Sequence, residues 1–323
     1  MPYGQDAKIG FAFQNSHGTV ASINSMYPMP FTAESIVPDV PELLAQNMEG
    51  RFDEGVAYAG ARNVGGTIQV EAQPQTLGVW LKALMGDPTS VQSGAIYTHT
   101  FQPRTADFDT NVIGTPISMY KNLADAGQVP LFRDLVCTRL EFNLANGELL
   151  TIGAAITGGV VETKTTSADI GTASGRHWPW DVTSVELGGA ANVDFQNLSV
   201  IIDEQATPRW TVRTQRDPSR VKRDGRRQVR VNGTVRFADQ TEYDLFLATT
   251  AQNLKITMTS PIEIQSGYYD TFTMEFPAFK YLTYPIDFPD ESEKLVTFEG
   301  KGDYVVGSGH SVVMTLINTY AAF

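Results

Sequence analysis

Short runs of alternating apolar and polar residues dominate the chain, and two stretches break the alternation with a helical period. Thr67 to Val70 alternates with the period of two expected of a strand. Pro74 to Leu84 then places Leu77, Trp80, Leu81 and Leu84 at i, i+3, i+4 and i+7, one face of a helix. Pro74 suits the first turn and Gly86 can take the left-handed conformation that ends the helix. The same passage returns later. Gly66-Thr67-Ile68-Gln69-Val70 recurs as Gly233-Thr234-Val235-Arg236-Phe237 at a shift of 167, and the helical face recurs as Tyr243, Phe246, Leu247 and Thr250 at a shift of 166. A single recurrence at this length is not a solenoid, whose period is roughly 20 to 50 residues. It predicts two copies of one domain in tandem, 1–180 and 181–323, against the plain alternative of a chance likeness.

The remaining pattern predicts mostly strands. Residues 1–45, with Pro28, Pro30, Pro38 and Pro41, read as an extended arm with short strands, and Glu49 to Ala61 as a loop or hairpin. Val136 to Leu144 and Leu149 to Ile156 alternate on either side of Asn146-Gly147, the strongest short hairpin signal. Thr163 to Gly175 is rich in Thr, Ser, Gly and Ala, which marks the junction. Asn197 to Asp203 and Ser311 to Asn318 read as strands. Val229, Val231, Val235 and Phe237 alternate around Asn232-Gly233, compatible with a tight hairpin or one long strand. Asp239 with Glu242 resembles a capping box. Each half is therefore mainly β with one short helix.

A length of 323 residues fits two domains at about 100 to 200 residues each. Hydrophobic residues at 42% and charged residues at 19% fit a folded chain. No apolar run approaches the ~18 to 20 residues that span a bilayer, and the N-terminus lacks the features of a signal peptide, so no membrane insertion and a cytoplasmic origin are expected. The one cysteine, Cys137, lies in an alternating run and reads as a packed thiol. A net charge of −12 opposes tight binding of nucleic acid, though not its passage along a surface.

No catalytic or metal-binding spacing appears, so neither active-site residues nor a cofactor are expected. His17, His99, His177 and His310 stand apart from any second ligand at metal spacing, and Gly307-Ser308-Gly309-His310-Ser311 matches neither a nucleophile elbow nor a phosphate loop. The sharpest local signal is charge. Arg209, Arg213, Arg216, Arg220, Lys222, Arg223, Arg226, Arg227, Arg230 and Arg236 crowd one segment, with only Trp210 and Phe237 to stack bases. At the repeat shift, Asp53 overlies Arg220, and the first loop carries Glu42, Glu49, Asp53 and Glu54 where its counterpart is basic. Pairing between copies, a solvated loop and a nucleic-acid patch all stay open. The candidates for contact between subunits or rings are Arg216, Arg220, Lys222, Arg223, Arg226, Arg227, Glu49, Asp53 and Glu54.

Several of these pieces carry a family resemblance. Glu49-Gly50-Arg51, the Gly-Thr-Ile-x-Val strand, Pro74 to Gly86 and Tyr97 to Pro103 in the first half, with Phe195 to Glu204, Arg226 to Asp239 and the terminal strand in the second, resemble the tandem kind of phage tail tube protein. The resemblance implies sandwich-like tube folds whose strands join those of neighbours around a channel, in rings of six folds that stack. Two folds per chain then imply a trimeric ring with pseudo-sixfold symmetry. Partners would be further copies of the chain, the tape-measure, tail-tip and tail-terminator proteins of the virion, and DNA passing without tight binding. Three chains at −12 each sum to −36, which suggests an acidic channel. A receptor-binding or tail-tip β protein and a hydrolase with dispersed site residues are the competing readings.

Overall fold

The computed structural model describes residues 7–24, 26–45, 53–122, 130–162, 170–173, 175–192, 194–238, 240–286 and 294–323. The chain is mainly β, with two α-helices at Pro74–Met85 and Thr241–Leu247. Alternation along the strands puts one side chain in two onto an apolar face, and antiparallel ladders align those faces across neighbours.

One order of neighbours occurs twice. In the first set, Lys8–Phe13 pairs with Ile117–Asn122, which pairs with Leu131–Ala145, then Thr151–Val161, then Asn63–Glu71, and last the short strands Ala33–Glu34 and Val37–Asp39. In the second set, Thr183–Leu187 pairs with Gln252–Gln265, then Tyr268–Thr283, Leu295–Gly302, Gln228–Arg236 and Phe195–Asp203. Every ladder is antiparallel, and in each set the helix follows the fifth strand named. The sets join side by side through a ladder from Arg139–Ala145 to Asn197–Asp203. They join again where Val313–Asn318 lies between Ile96–Phe101 and Tyr268–Thr283. The combined sheet stays open rather than closing on itself.

The recurring Gly-Thr pair has a steric cause. A Cβ at Gly66 would run into the carbonyl oxygen of Ser35, and one at Gly233 into that of Asn197. At each place the neighbouring backbone passes too close for any side chain. Asn232-Gly233 lies inside the unbroken strand Gln228–Arg236, which decides between the two readings of that segment. The Asn146-Gly147 turn joins Leu131–Ala145 to Thr151–Val161 with Gly147 at φ 83°.

The two helices differ. Ten of the twelve residues in Pro74–Met85 are buried, well beyond the four-residue stripe, because a second layer covers the helix. Trp80 meets the Phe11 ring edge-on at 5.0 Å, and the Phe323 ring occupies the space beside Gly78. The second helix buries none of its residues, ends at Leu247 before Thr250, and is followed by Thr249 at φ 52°. Its expected core face is half-buried at Tyr243 and Phe246 and exposed at Leu247. The covering hairpin Thr89–Ser93/Ile96–Phe101 follows only the first helix; after the second the chain enters the next strand at Gln252. Asp239, half of the expected capping box, lies outside the described residues.

Candidate assembly surface

The strand at the outer end of the first set is paired on one side only. Ala33–Glu34 and Val37–Asp39 bond to Asn63–Glu71, and no other described strand borders them. Their counterpart in the second set, Phe195–Asp203, is bordered on both sides, by Gln228–Arg236 and by Arg139–Ala145. An unpaired strand edge presents free backbone donors and acceptors, and it invites another strand.

The same sheet turns two unlike faces outward and inward. Leu140, Phe142, Leu144, Leu198, Val200 and Ile202 point inward. The opposite face aligns Arg139, Glu141 and Asn143 with Gly153, Ala155, Ser199, Asn232, Thr234 and Thr297. Arg139 pairs with Glu141 at 2.6 Å on this face, whereas Arg230, Lys301 and Lys280 lie opposite one another across three strands, with both lysines paired to Asp303.

Two hairpins project from equivalent places, and their surroundings differ. Ala206–Arg209/Arg220–Arg223 links Phe195–Asp203 to Gln228–Arg236, and it is seated on the first strand set. Val221 is fully buried with Val112, Ile113 and Val136, and its N–H donates to the Asn111 carbonyl at 2.9 Å. Lys222 Nζ donates to Asp107 Oδ2 at 2.8 Å and to the Asp109 carbonyl at 3.0 Å. Glu42–Leu44/Ala57–Ala59 links Val37–Asp39 to Asn63–Glu71, and all six of its residues are exposed.

The basic segment folds largely onto acids of its own chain. Glu204, almost fully buried, accepts from Arg223 at 2.5 Å and from Arg227 at 2.6 Å. Arg227 also donates to the Arg104 carbonyl at 2.8 Å, and burial lowers the pKa of the nearby Arg104 guanidinium. Asp217 holds Arg62 through two bonds of 2.6 and 2.9 Å, and Arg209 pairs with Asp224. Of the sequence candidates, Lys222, Arg223 and Arg227 thus have partners within the chain. Arg216, Arg220, Arg226, Asp53 and Glu54 are exposed, and Glu49 lies outside the described residues. Reversing Arg220, Lys222 and Arg223 together would therefore place a carboxylate beside buried Glu204 and disturb folding as well as association. Glu204, Asp107 and Asp217 were missed because no local spacing links them to the arginines.

His99, His177 and Cys137 are held in packed or hydrogen-bonded places. His99 is buried between Ser90 Oγ at 2.7 Å and the Tyr320 carbonyl at 2.8 Å, and His177 Nε2 lies 3.0 Å from Gln73. Among the described residues no three His, Cys, Asp or Glu side chains converge to hold a metal ion. Cys137 is buried, and burial pushes its thiol pKa up. A thiol reagent is expected to leave native Cys137 unlabelled and to react on unfolding in denaturant, as mass spectrometry would record. A cleft of about 500 Å³ beside the junction ladder is lined by Leu144, Trp180, Asp181, Ser184, Asp194 and Arg236. Among the described residues no helix is long and apolar enough to cross a membrane.

A β chain with twin strand sets and an edge strand paired on one side only among the described residues has the makings of a self-associating structural protein. The chain belongs to the phage tail tube protein family, whose sequence model matches residues 4–302. No curated protein matches it. It is a structural subunit of a viral tail tube.

Proposed function

We propose that each chain contributes two side-by-side tube folds, 1–180 and 181–323, to a ring that stacks into a hollow tail tube and conducts DNA. The observation that carries this reading is the repeated order of strand neighbours together with the ladder that joins the two sets laterally. A ladder that joins fold to fold within a chain supplies the pattern for joining chain to chain. The strand Ala33–Asp39 of one chain then receives the second set of its neighbour, as Phe195–Asp203 receives the first set internally. Edge-to-edge addition satisfies the backbone groups that a lone chain leaves to solvent, and a head-to-tail contact that closes gives a ring.

Six folds to a ring, as the resemblance implies, makes the ring a trimer. The face bearing Asn143, Ser199, Asn232, Thr234 and Thr297 is the proposed channel wall. Its groups are mostly short and polar, the basic row Arg230, Lys301 and Lys280 is partly neutralised by Asp303, and the acidic excess of the chain adds repulsion at longer range. The exposed Arg216, Arg220 and Arg226, with Glu49, Asp53 and Glu54, are the proposed contacts between subunits or rings. The tube would assemble in the host cytoplasm and meet tape-measure, tail-tip and terminator proteins there, without catalysing a reaction.

Electron microscopy of the purified chain tests the reading. Hollow tubes whose cross-section averages to three chains and six similar lobes are the expected result. Discrete monomers at every concentration and ionic strength tried would overturn it.

A further inference from the structure

We infer that the ion pair between Lys121 and Glu34 caps the receiving edge of the free chain, so that a neighbouring strand joins Ala33–Asp39 only after displacing it from the backbone. The inference rests on the tube reading above and adds a control on the rate at which chains join.

Register decides which backbone groups of the edge face outward. From Ala33 opposite Gln69 to Asp39 opposite Asn63 the pairing runs without a shift. Backbone groups along a strand turn to alternate sides from one residue to the next. Ser35 donates its N–H to the Thr67 carbonyl at 2.9 Å and so faces Asn63–Glu71. Glu34, Ile36 and Pro38 therefore face the open side, where a joining strand has to bond.

The middle position is already occupied. Glu34 Oε2 accepts the Ile36 N–H at 3.1 Å, and Lys121 Nζ donates both to the Ile36 carbonyl and to the same Glu34 oxygen. Pro38 has no N–H to offer. Lys121 belongs to Ile117–Asn122, which shares no ladder with Ala33–Asp39, so its side chain reaches the edge from across the fold. That side chain is only 10% exposed, and mobile ions do little to loosen the pair. Inward-pointing charges and proline are two devices by which proteins blunt a sheet edge against other strands.

The strand that has received a neighbour within the chain carries neither device. Leu198 lies opposite Gly233 and Val200 opposite Val231, the counterparts of Gly66 and Val64 at the shift of 167. Leu198 and Val200 thus stand where Ile36 and Pro38 stand, and they face Leu144 and Phe142 of the joined strand. Two residues able to continue a ladder occupy the joined edge; a capped residue and a proline occupy the unjoined one. Addition at Ile36 exchanges bonds. A neighbour's N–H replaces Lys121 on the carbonyl, its carbonyl replaces Glu34 on the N–H, and the two side chains keep each other. Such an exchange is nearly balanced when complete, yet the old bonds part before the new ones form. The cap therefore slows each addition without weakening the finished tube.

Lys121→Met combined with Glu34→Gln removes both charges and leaves no lone buried ion. At equal concentration and salt, light scattering with electron microscopy should show the double variant forming tubes after a lag about tenfold shorter than that of the unmodified chain, equivalent to about 1.4 kcal/mol off the barrier to addition. A pair that merely braced the fold would act in the opposite direction. Growth of the folded variant at the unmodified rate or slower, beside normal tubes of the unmodified chain, would overturn the cap and leave the tube reading intact. Absence of tubes from both chains under every condition tried would overturn both. Hydrogen exchange on the unmodified free chain reads the cap without any substitution, and decides the matter should the variant fail to fold. The Ile36 N–H is expected to exchange at least about tenfold more slowly than an unbonded edge amide, a protection again equivalent to about 1.4 kcal/mol. Exchange there at the unprotected rate would overturn the inference.

Discussion

Gly233→Val should destabilise the chain by roughly 3 kcal/mol or more and lower its melting temperature by about 5 to 10 °C. The added side chain would meet the Asn197 carbonyl, Leu198 and Phe298 in a strand bordered on both sides, so nothing near it can withdraw cheaply. Gly66→Val makes the same kind of collision with the Ser35 carbonyl and the Ile36 N–H, but in a strand that has no neighbour beyond it. Ala33–Asp39 can shift outward, so the melting loss should be smaller. That shift moves the edge proposed to receive the next chain, and tube formation should be lost. Gly307→Val, where a Cβ meets nothing within 4 Å, is the control and should be neutral within about 0.5 kcal/mol. Thermal melts read beside electron microscopy separate the three. Equal melting losses at Gly66 and Gly233 would contradict the difference between edge and interior.

Glu204→Gln should cost about 3 to 5 kcal/mol, the usual range when one partner of a buried ion pair is removed. The carboxylate accepts from Arg223 and Arg227, and half-buried Arg104 lies close by. Without the anion three guanidinium groups remain near one another in a poorly solvated place. The loss should persist at high salt, since mobile ions do not reach a buried pair. Arg226→Gln, on the exposed side of the same turn, should leave stability within about 0.5 kcal/mol. Urea denaturation at low and high salt gives both answers. A neutral Glu204→Gln would mean that water solvates this cluster, contrary to its burial.

The local pattern revealed much of the strand layout. Alternation from Val136 to Leu144 and from Leu149 to Ile156, with Asn146-Gly147 between, corresponds to the long hairpin of the first set. Pro74 opens the first helix at its first position, and Gly86, at φ 99°, follows its last residue. The second helix was overextended because its pattern continues through Thr250, whereas the backbone reverses at Thr249. Burial of its face depends on a covering layer, and side-chain period carries no information about what lies above a helix. The basic segment was legible as charge, yet its acids at Asp107, Glu204 and Asp217 were not, because ion pairs between distant loops leave no periodic trace.

By itself the sequence determined the period of each element, the recurrence of Gly-Thr before a helix, and membership of the tail tube family. These depend on neighbours in the chain and on composition, where sterics and hydrophobic alternation act at short range. Only the tertiary structure decided that both strand sets share one order of neighbours, that Arg139–Ala145 joins them, and that one hairpin is seated while the other is bare. Those outcomes come from contacts between residues scores of positions apart. Such contacts depend on where the chain returns in space, which local periodicity does not specify.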